Sequence, residues 1–217
     1  MSILLVDPMV LAYRQAKELV IERGYSGEIS WQESIIYEEI TESDFLREGA
    51  WVILSCGMRE SIVRRKFAKV SVAFHNWASA QTIVDQSQVC RSEALSFFNS
   101  PPKIDAIIDM ASGVASTGFD IVKESIRTDG VQYLQQFSYI GPITMFHLAK
   151  NIGFPVAKPD RHLERIAART GYACPQQMCE HLAEATGDSI PVVDLVLWRY
   201  ATLDTNYLHL FPGPGSE

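Results

Sequence analysis

The most informative part of the chain reads FSYIGPITMFHLAKNIGFPVAKPDRHLERIAARTG and covers residues 137–171. Its apolar spacing predicts a helix, a tight turn, a second helix, a Gly/Pro-rich loop and a third helix. The turn falls at residues 140–142, where Gly141 permits a backbone conformation or a close approach that a side chain would block. Pro159 suits the first position of the third helix, so Asp160 is expected in the first turn of that helix.

The turn also carries the first functional prediction. A tight turn of this kind directs the free N–H groups of the second helix outward, and a helix N-terminus is a natural phosphate site. Gly153 then ends the second helix, while Pro155 and Pro159 stiffen the loop that follows. The pattern therefore predicts a surface turn able to hold an anion, followed by a restrained loop.

Helical patterns continue through the rest of the chain, so we predict an all-α protein. Asp7 and Pro8 are expected to begin a helix that stops at Gly24. Thr41 and Asp44 have the spacing of a capping box before a mostly apolar helix. Only the segment WQESIIYEE, near residue 35, is ambiguous between helix and strand.

Later helices follow from apolar spacing and from turn residues. The second half of the chain contains several such segments, and Asp129 suits the N-cap of one of them. Helices are predicted near residues 59–75, 129–137, 144–152, 160–170, 175–186 and 190–203.

Composition places the chain among ordinary globular proteins, with 47% hydrophobic and 21% charged residues in a length of 217. No apolar run approaches the roughly 20 residues that a membrane-spanning helix needs, so no membrane contact is expected. The four cysteines are sparse, which favours reduced thiols in a cytoplasmic or nuclear protein. Cys174, Cys179 and His181 lack a recognisable zinc spacing, so we predict neither a metal nor another cofactor.

The net charge of −7 argues against a nucleic-acid partner, but its distribution is uneven. Residues 59–69 contain five basic residues and one acid, and residues 150–169 contain five basic residues and two acids. Residues 22–48 carry eight acids and two arginines instead. The basic stretches fit either a DNA-binding surface or ordinary solvated helix faces.

The stretch at 137–171 resembles the helix-hairpin-helix-GPD superfamily of DNA glycosylases, the endonuclease III-like enzymes. Members share a hairpin L-P-G-I-G-P-K-T-A, a Gly/Pro-rich loop, and an aspartate about twenty residues after the hairpin. The matching residues are Ile140, Gly141, Pro142 and Thr144 in the hairpin, Asp160 as the aspartate, and His162 and Arg165 in the D-x-H-x-x-R continuation. Weaker resemblance extends to residues 50–79 and 192–201, so it touches most of the chain.

Three features depart from the family pattern. Tyr139 replaces the first hairpin glycine, so the turn is either distorted or carries a functional side chain. Ile143 stands where bifunctional members have their Schiff-base lysine. The four-cysteine iron–sulfur pattern is absent after Trp198. The resemblance therefore implies a divergent, monofunctional member.

The resemblance implies a two-lobed helical fold with the active site in a cleft between the lobes. One lobe is a helical barrel of residues 45–150 that ends in the helix-hairpin-helix. The other lobe combines residues 1–44 with residues 151–217 and carries the catalytic aspartate.

Roles for single residues follow from the same resemblance. Asp160 is the catalytic carboxylate, which stabilises positive charge at C1′ and orients or deprotonates the attacking water. The hairpin backbone binds phosphate, and several side chains supplement it or have a packing role instead. The predicted phosphate contacts are Tyr139, Ile140, Gly141, Pro142, Ile143 and Thr144, supplemented by Lys150 and Lys158, with His162 either contacting phosphate or packing.

Two further groups of residues each have a functional and a structural interpretation. Met58 or Arg59 fills the gap left by a flipped base, or has an ordinary role at a helix end. Asp194 and Trp198 line the base pocket, although core packing is the alternative for Trp198.

The expected function is release of a modified or mispaired base from double-stranded DNA by a monomeric N-glycosylase, in the bacterial cytoplasm or a nucleus. A non-catalytic helix-hairpin-helix DNA-binding protein is one alternative. A bifunctional glycosylase and lyase, using Lys158 as a displaced Schiff-base lysine, is another. Alkylated, deaminated, oxidised and hypermodified bases all remain open as substrates.

Overall fold

The computed structural model describes residues 7–213, and those residues form α-helices, short 3-10 turns and one π-helical segment at Ile21–Tyr25, with no β-strand. The prediction of an all-α protein is therefore confirmed for that part of the chain. Its helices are α1 (Pro8–Val20), α2 (Ser26–Ser34), α3 (Glu42–Ser55), α4 (Glu60–Ala73), α5 (Ala80–Asp85), α6 (Ser87–Phe97), α7 (Pro101–Thr117), α8 (Phe119–Asp129), α9 (Thr144–Asn151), α10 (Arg161–Thr170), α11 (Pro175–Thr186) and α12 (Ile190–Leu203). Between residues 7 and 213, no helix is long and apolar enough to cross a membrane.

Contacts between residues divide the chain into two units. The central unit spans Tyr37–Ile152, and the terminal unit combines the chain up to Ile36 with the chain from Gly153 onwards. Residues 1–6 and 214–217, which the predicted second lobe includes, lie outside the described residues.

The core of the central unit forms around α3, which packs against α4, α7 and α9. The predicted capping box is confirmed, since Thr41 and Asp44 exchange side-chain and backbone hydrogen bonds at the start of α3. Phe45, fully buried in the next turn, has its ring centroid 5.8 Å from those of Phe119 and Phe137. Phe137 lies three residues before the predicted turn at residues 140–142, so the segment that enters the turn is anchored in the core of the unit.

The terminal unit is built around α12, of whose 14 residues ten are buried. This helix packs against α1, α2, α10 and α11, which leaves it almost no solvent-facing side. Its buried Arg199 forms a two-pronged pair with Glu28 of α2, with nitrogen–oxygen distances of 3.0 and 2.9 Å. A paired guanidinium avoids the cost of burying an isolated charge.

Two local predictions near the N-terminus are confirmed. The Asp7 carboxylate accepts the Met9 N–H at 2.7 Å, with Pro8 at the first helical position of α1. Gly24 adopts a φ of +88°, a left-handed conformation that interrupts the helical path before α2. The ambiguous segment near residue 35 contains the end of α2 and a 3-10 turn, Tyr37–Glu39, and no strand.

The predicted helix over residues 129–137, with Asp129 as its N-cap, is wrong. Asp129 is the last residue of α8, and residues Val131–Gln136 form a 3-10 turn. Gly130 separates the two with a φ of +81°. A left-handed glycine is a common helix stop, so Asp129 ends one helix and does not begin the next.

Candidate functional site

The hairpin turn joins the 3-10 turn at Val131–Gln136 to α9 in the central unit. The hydroxyl of Thr144 holds it closed from the first turn of α9. This Oγ1 accepts the Gly141 N–H at 2.7 Å and donates to the Tyr139 carbonyl at 3.0 Å. One side chain therefore fixes both ends of the tripeptide at 139–141.

The strained residue of the turn is Tyr139, whose φ is +67°. A left-handed conformation costs a residue with a Cβ roughly 1–2 kcal/mol, so the position retains the backbone shape that a glycine would adopt freely. Gly141 does not have a positive φ, and a Cβ there would meet only Thr144 Oγ1 at 4.0 Å. The prediction that Gly141 supplies a special conformation within the fold is wrong, because Tyr139 supplies it. The close approach of a ligand to Gly141 stays a prediction.

Two backbone donors at this turn are available to a ligand. The N–H groups of Ile143 and Thr144 donate to no acceptor in the described part of the chain, and α9 has no side-chain N-cap. Pro142 has no N–H, and the Gly141 N–H is taken by Thr144. The anion-binding capacity predicted for the turn thus comes down to two adjacent N–H groups at a helix N-terminus.

An open depression lies beside the turn and is lined mainly by residues 137–144. Cys56, the residue after α3, also lines it. The loop 56–59 contains both candidate wedge residues, Met58 and Arg59, and both are exposed. The structure therefore brings the start of this loop to the hairpin turn, although about eighty residues separate the two in sequence.

Lys103 lies close to both the end of α3 and the hairpin turn. It is only 8% exposed, and its ammonium group donates to the carbonyls of Leu54, at 2.7 Å, and of Cys56. The same nitrogen lies 6.0 Å from the ring centroid of Tyr139. Burial lowers the pKa of Lys103.

The role of Lys103 matches no sequence motif, although one signal in the sequence points to it. It stands in the first turn of α7, directly after Pro101 and Pro102. A cation is unfavourable at the positive end of a helix dipole, so a lysine there indicates a specific partner elsewhere. The carbonyls at the end of α3 are that partner.

Lys150 differs from its predicted role. It lies in the last turn of α9 and is 5% exposed. A residue this buried presents almost no surface to a phosphate without a change in structure, so Lys150 is not a surface donor here.

Asp160 lies in the terminal unit as the N-cap of α10, with φ −89° and ψ 167°. Its Oδ1 accepts the N–H groups of His162 at 2.8 Å and Leu163 at 3.2 Å. The expectation that Pro159 begins the helix is wrong, because the Asp160 side chain caps it and Arg161 is its first residue. Asp160 is half-exposed, and its Oδ2 accepts no hydrogen bond within residues 7–213.

Two side chains accept hydrogen bonds from the backbone of the loop before Asp160. Asp194 of α12 is 2% exposed, and its Oδ2 accepts the Lys158 N–H at 2.6 Å. Gln176 of α11 accepts the Ala157 N–H through its Oε1 at 2.7 Å. The family resemblance implies a base-pocket role for Asp194 and no role for Gln176. In the structure, both side chains position the backbone that leads to Asp160.

His162 packs on the ring of Tyr207, with centroids 5.4 Å apart. Its Nδ1 is buried and has no hydrogen-bond partner among residues 7–213, while its Nε2 accepts a hydrogen bond from Arg161 at 3.3 Å. Burial lowers the pKa of His162, and the nearby Asp160 carboxylate partly offsets this. Of its two predicted roles, the packing role is the one with observed contacts.

Trp198 is half-buried and packs against the hydrophobic core of the terminal unit. The Arg199 guanidinium lies 4.6 Å from its ring centroid. These contacts are those of the core-packing alternative for Trp198.

Potential metal ligands are scattered in residues 7–213, where no three His, Cys, Asp or Glu side chains form a group able to hold a metal ion. His181 instead bridges Tyr172, through Nδ1, and Asp7, through Nε2 at 3.2 Å.

Two clusters therefore have local geometry that bears on function. The central unit holds the turn with its N–H donors and Lys103, and the terminal unit holds Asp160 with Asp194 behind its loop. The first cluster offers N–H donors that suit an anion, and the second offers a carboxylate. Comparisons of the chain with protein-family models, with curated proteins and with solved structures found no match.

Proposed function

We propose that this protein is a monofunctional DNA N-glycosylase of the helix-hairpin-helix type, a monomer that releases a modified or mispaired base from double-stranded DNA. One observation carries the proposal. A locked hairpin turn with two free N–H donors is followed, about twenty residues later, by a half-exposed aspartate at a helix N-terminus. The donors suit a DNA phosphate, and the carboxylate suits the sugar.

The retained strain at Tyr139 supports this proposal. Left-handed backbone at a non-glycine residue costs stability and persists mainly where function or surrounding structure requires it. Here it shapes the turn that presents the Ile143 and Thr144 N–H groups. Gly141 leaves its outer side without a Cβ, so a phosphate can approach the backbone closely.

The chemical step assigns Asp160 the central role. As the N-glycosidic bond breaks, its electrons leave with the base and positive charge develops on the sugar. The Asp160 carboxylate stabilises that charge, and its unbonded Oδ2 accepts a proton from the water that attacks C1′. Flipping the nucleotide out of the duplex costs a few kcal/mol, which DNA binding must offset.

The proposal includes the two-lobed arrangement of the helix-hairpin-helix glycosylases, with the flipped nucleotide in a cleft between a lobe of residues 45–150 and a lobe of the remaining residues. Met58 or Arg59 then enters the gap in the duplex. No cofactor is required for hydrolysis of this kind. We place the protein in the bacterial cytoplasm or, if it is eukaryotic, in the nucleus.

Strand cleavage is not part of the proposed reaction. A lyase needs an amine that attacks C1′ and forms a Schiff base, and Ile143 has none. Lys158, two residues before Asp160, is the alternative amine, but its backbone is tied to Asp194 and its next residue is Pro159. We expect its side chain to contact phosphate.

A DNA-binding protein without catalysis is the second candidate. The N-cap geometry favours it, because capping α10 would by itself account for an aspartate at position 160. The two candidates differ in whether the protein releases a base.

The test is a set of duplexes with alkylated, deaminated, oxidised or hypermodified bases, each incubated with the protein. One half of each sample is quenched at neutral pH, and the other half is heated in alkali to cleave abasic sites. We expect nicks in the alkali half only, for at least one lesion. Binding without release from any lesion would leave the non-catalytic candidate. Equal nicking in both halves, with a borohydride adduct lost in Lys158→Ala, would establish a lyase.

A further inference from the structure

The helix α4 presents the most basic surface of the central unit. It contains Arg64, Arg65, Lys66 and Lys69, in a chain whose net charge is −7. Arg65 and Lys69 are exposed, one helical turn apart on the same side of the helix. An acidic protein that gathers cations on one helix can attract an anion there despite its overall charge.

The four cations of α4 differ in their contacts. Arg64 bonds to Glu60 and lies 5.7 Å from the ring centroid of Trp51, so its charge is already compensated. Arg65, Lys66 and Lys69 form no ion pair with any carboxylate in the described part of the chain. Arg64 is therefore the least suited of the four to contact a phosphate, although the sequence pattern marks all four cations alike.

Aromatic rings hold two of the remaining cations in place. The Lys69 ammonium lies 5.6 Å from the ring centroid of the exposed Phe97, and the Lys66 ammonium lies 5.6 Å from that of Phe98. Lysine side chains ordered in this way lose less conformational entropy when they bind a ligand. Ordered cations on an exposed helix face suit contacts with the phosphates of a duplex.

The position of α4 connects this surface to the site described above. Arg59 is the N-cap residue of α4, so the helix continues directly from the loop 56–59. Cys56, at the start of that loop, lines the same depression as the hairpin turn. All of these residues lie in the central unit.

We infer that the outward face of α4, formed by Arg65, Lys66 and Lys69 beside Phe97, is a second contact surface for the phosphate backbone of DNA. The inference rests on the proposed function. It assigns the hairpin turn to one stretch of backbone and α4 to another, with the loop 56–59 between them. The charge complementarity of free cations and phosphates is the argument for this occupant.

The experiment measures binding of the full chain to an undamaged fluorescent duplex over a range of salt concentrations. The double variant R65A/K69A removes two exposed cations from α4. Because each lost phosphate contact removes about 0.9 from the slope of log affinity against log salt, we expect the slope to shrink by about 1.8. R65K/K69R keeps both charges and should keep the wild-type slope.

A matched control removes two exposed arginines from the terminal unit. R14A/R23A changes the net charge by the same amount, and both positions are exposed. We expect its slope to stay at the wild-type value. An unchanged slope in R65A/K69A, or an equal loss in the control, would overturn the inference. If R65A/K69A kept the wild-type slope but lost binding to phosphatidylserine vesicles, the inference would also be overturned, and the α4 face would be a membrane surface.

Base release from the lesion duplexes, measured with the same protein preparations, separates this inference from the proposed function. A reduced slope without release from any lesion would support the α4 surface and remove the glycosylase. Release together with an unchanged slope in R65A/K69A would support the glycosylase and overturn the α4 surface. Absence of DNA binding in the wild type would remove both.

Discussion

The buried Asp194 carboxylate accepts the Lys158 backbone N–H at 2.6 Å, two residues before Asp160. A helix in the core of the terminal unit thus determines the path of the loop that presents the candidate catalytic group. Rigid support from behind is what a catalytic side chain needs, because small errors in position cost large factors in rate.

Asp194→Ala should therefore affect both stability and base release. It leaves the Lys158 N–H without its acceptor, at a cost of about 1–3 kcal/mol in the free energy of unfolding. Asp194→Asn keeps an acceptor oxygen and should retain more of both properties. Urea unfolding and single-turnover base release measure the two effects. Full release by a folded Asp194→Ala variant would show that the tether does not position Asp160.

Asp160→Asn separates catalysis from capping. Asn is as good an N-cap as Asp, so the free energy of unfolding should change by only a few tenths of a kcal/mol. Removal of the charge should slow base release by roughly two orders of magnitude or more, with DNA affinity kept or improved. Asp160→Ala is the control for capping and should lose about 1 kcal/mol of stability. Undiminished release by the Asn variant would exclude Asp160 as the catalytic group.

The left-handed conformation of Tyr139 predicts that glycine is more stabilising than alanine at this position, which reverses the usual order of the two residues. Both Tyr139→Gly and Tyr139→Ala remove the ring, but only glycine relieves the strain at φ +67°. We expect the Gly variant to be more stable than the Ala variant by about 1 kcal/mol in denaturant unfolding. The exposed neighbour Ser138, whose φ is not positive, should not favour glycine. An Ala variant as stable as the Gly variant would contradict the strain.

The lowered pKa of His162 predicts a loss of stability on the acidic side of neutrality. Its ordinary pKa is 6.5, and burial lowers the value in the folded state. Between the two values the unfolded chain binds more protons, so stability falls as pH falls from 6.5 towards the folded pKa. His162→Gln removes the titrating group and should flatten this decline. Thermal unfolding from pH 7.5 to 5 measures it, and parallel curves for wild type and His162→Gln would contradict the assignment.

Sequence by itself determined most of the helices, because their signals act over a few residues. The Asp7 N-cap, the capping box at Thr41 and the break at Gly24 each depend on neighbours within one helical turn. Boundaries failed where two local signals competed. Asp129 suits an N-cap, but Gly130 directly after it ends the preceding helix. Asp160 lies two positions earlier in its helix than Pro159 predicts, for a similar reason, since Pro159 also suits a helix start.

Tertiary structure alone decided how the candidate site is supported. Lys103 donates to carbonyls near residue 54, and Asp194 reaches the loop at Lys158 across 36 positions in sequence. Burial of Lys150 likewise depends on the packing of α9 and not on its own neighbours in sequence. Local propensity acts between adjacent residues, while burial and side-chain pairing depend on which helices meet. A residue's type and spacing could therefore suggest its chemistry, but only packing determined whether its charge faces a ligand or the protein's own backbone.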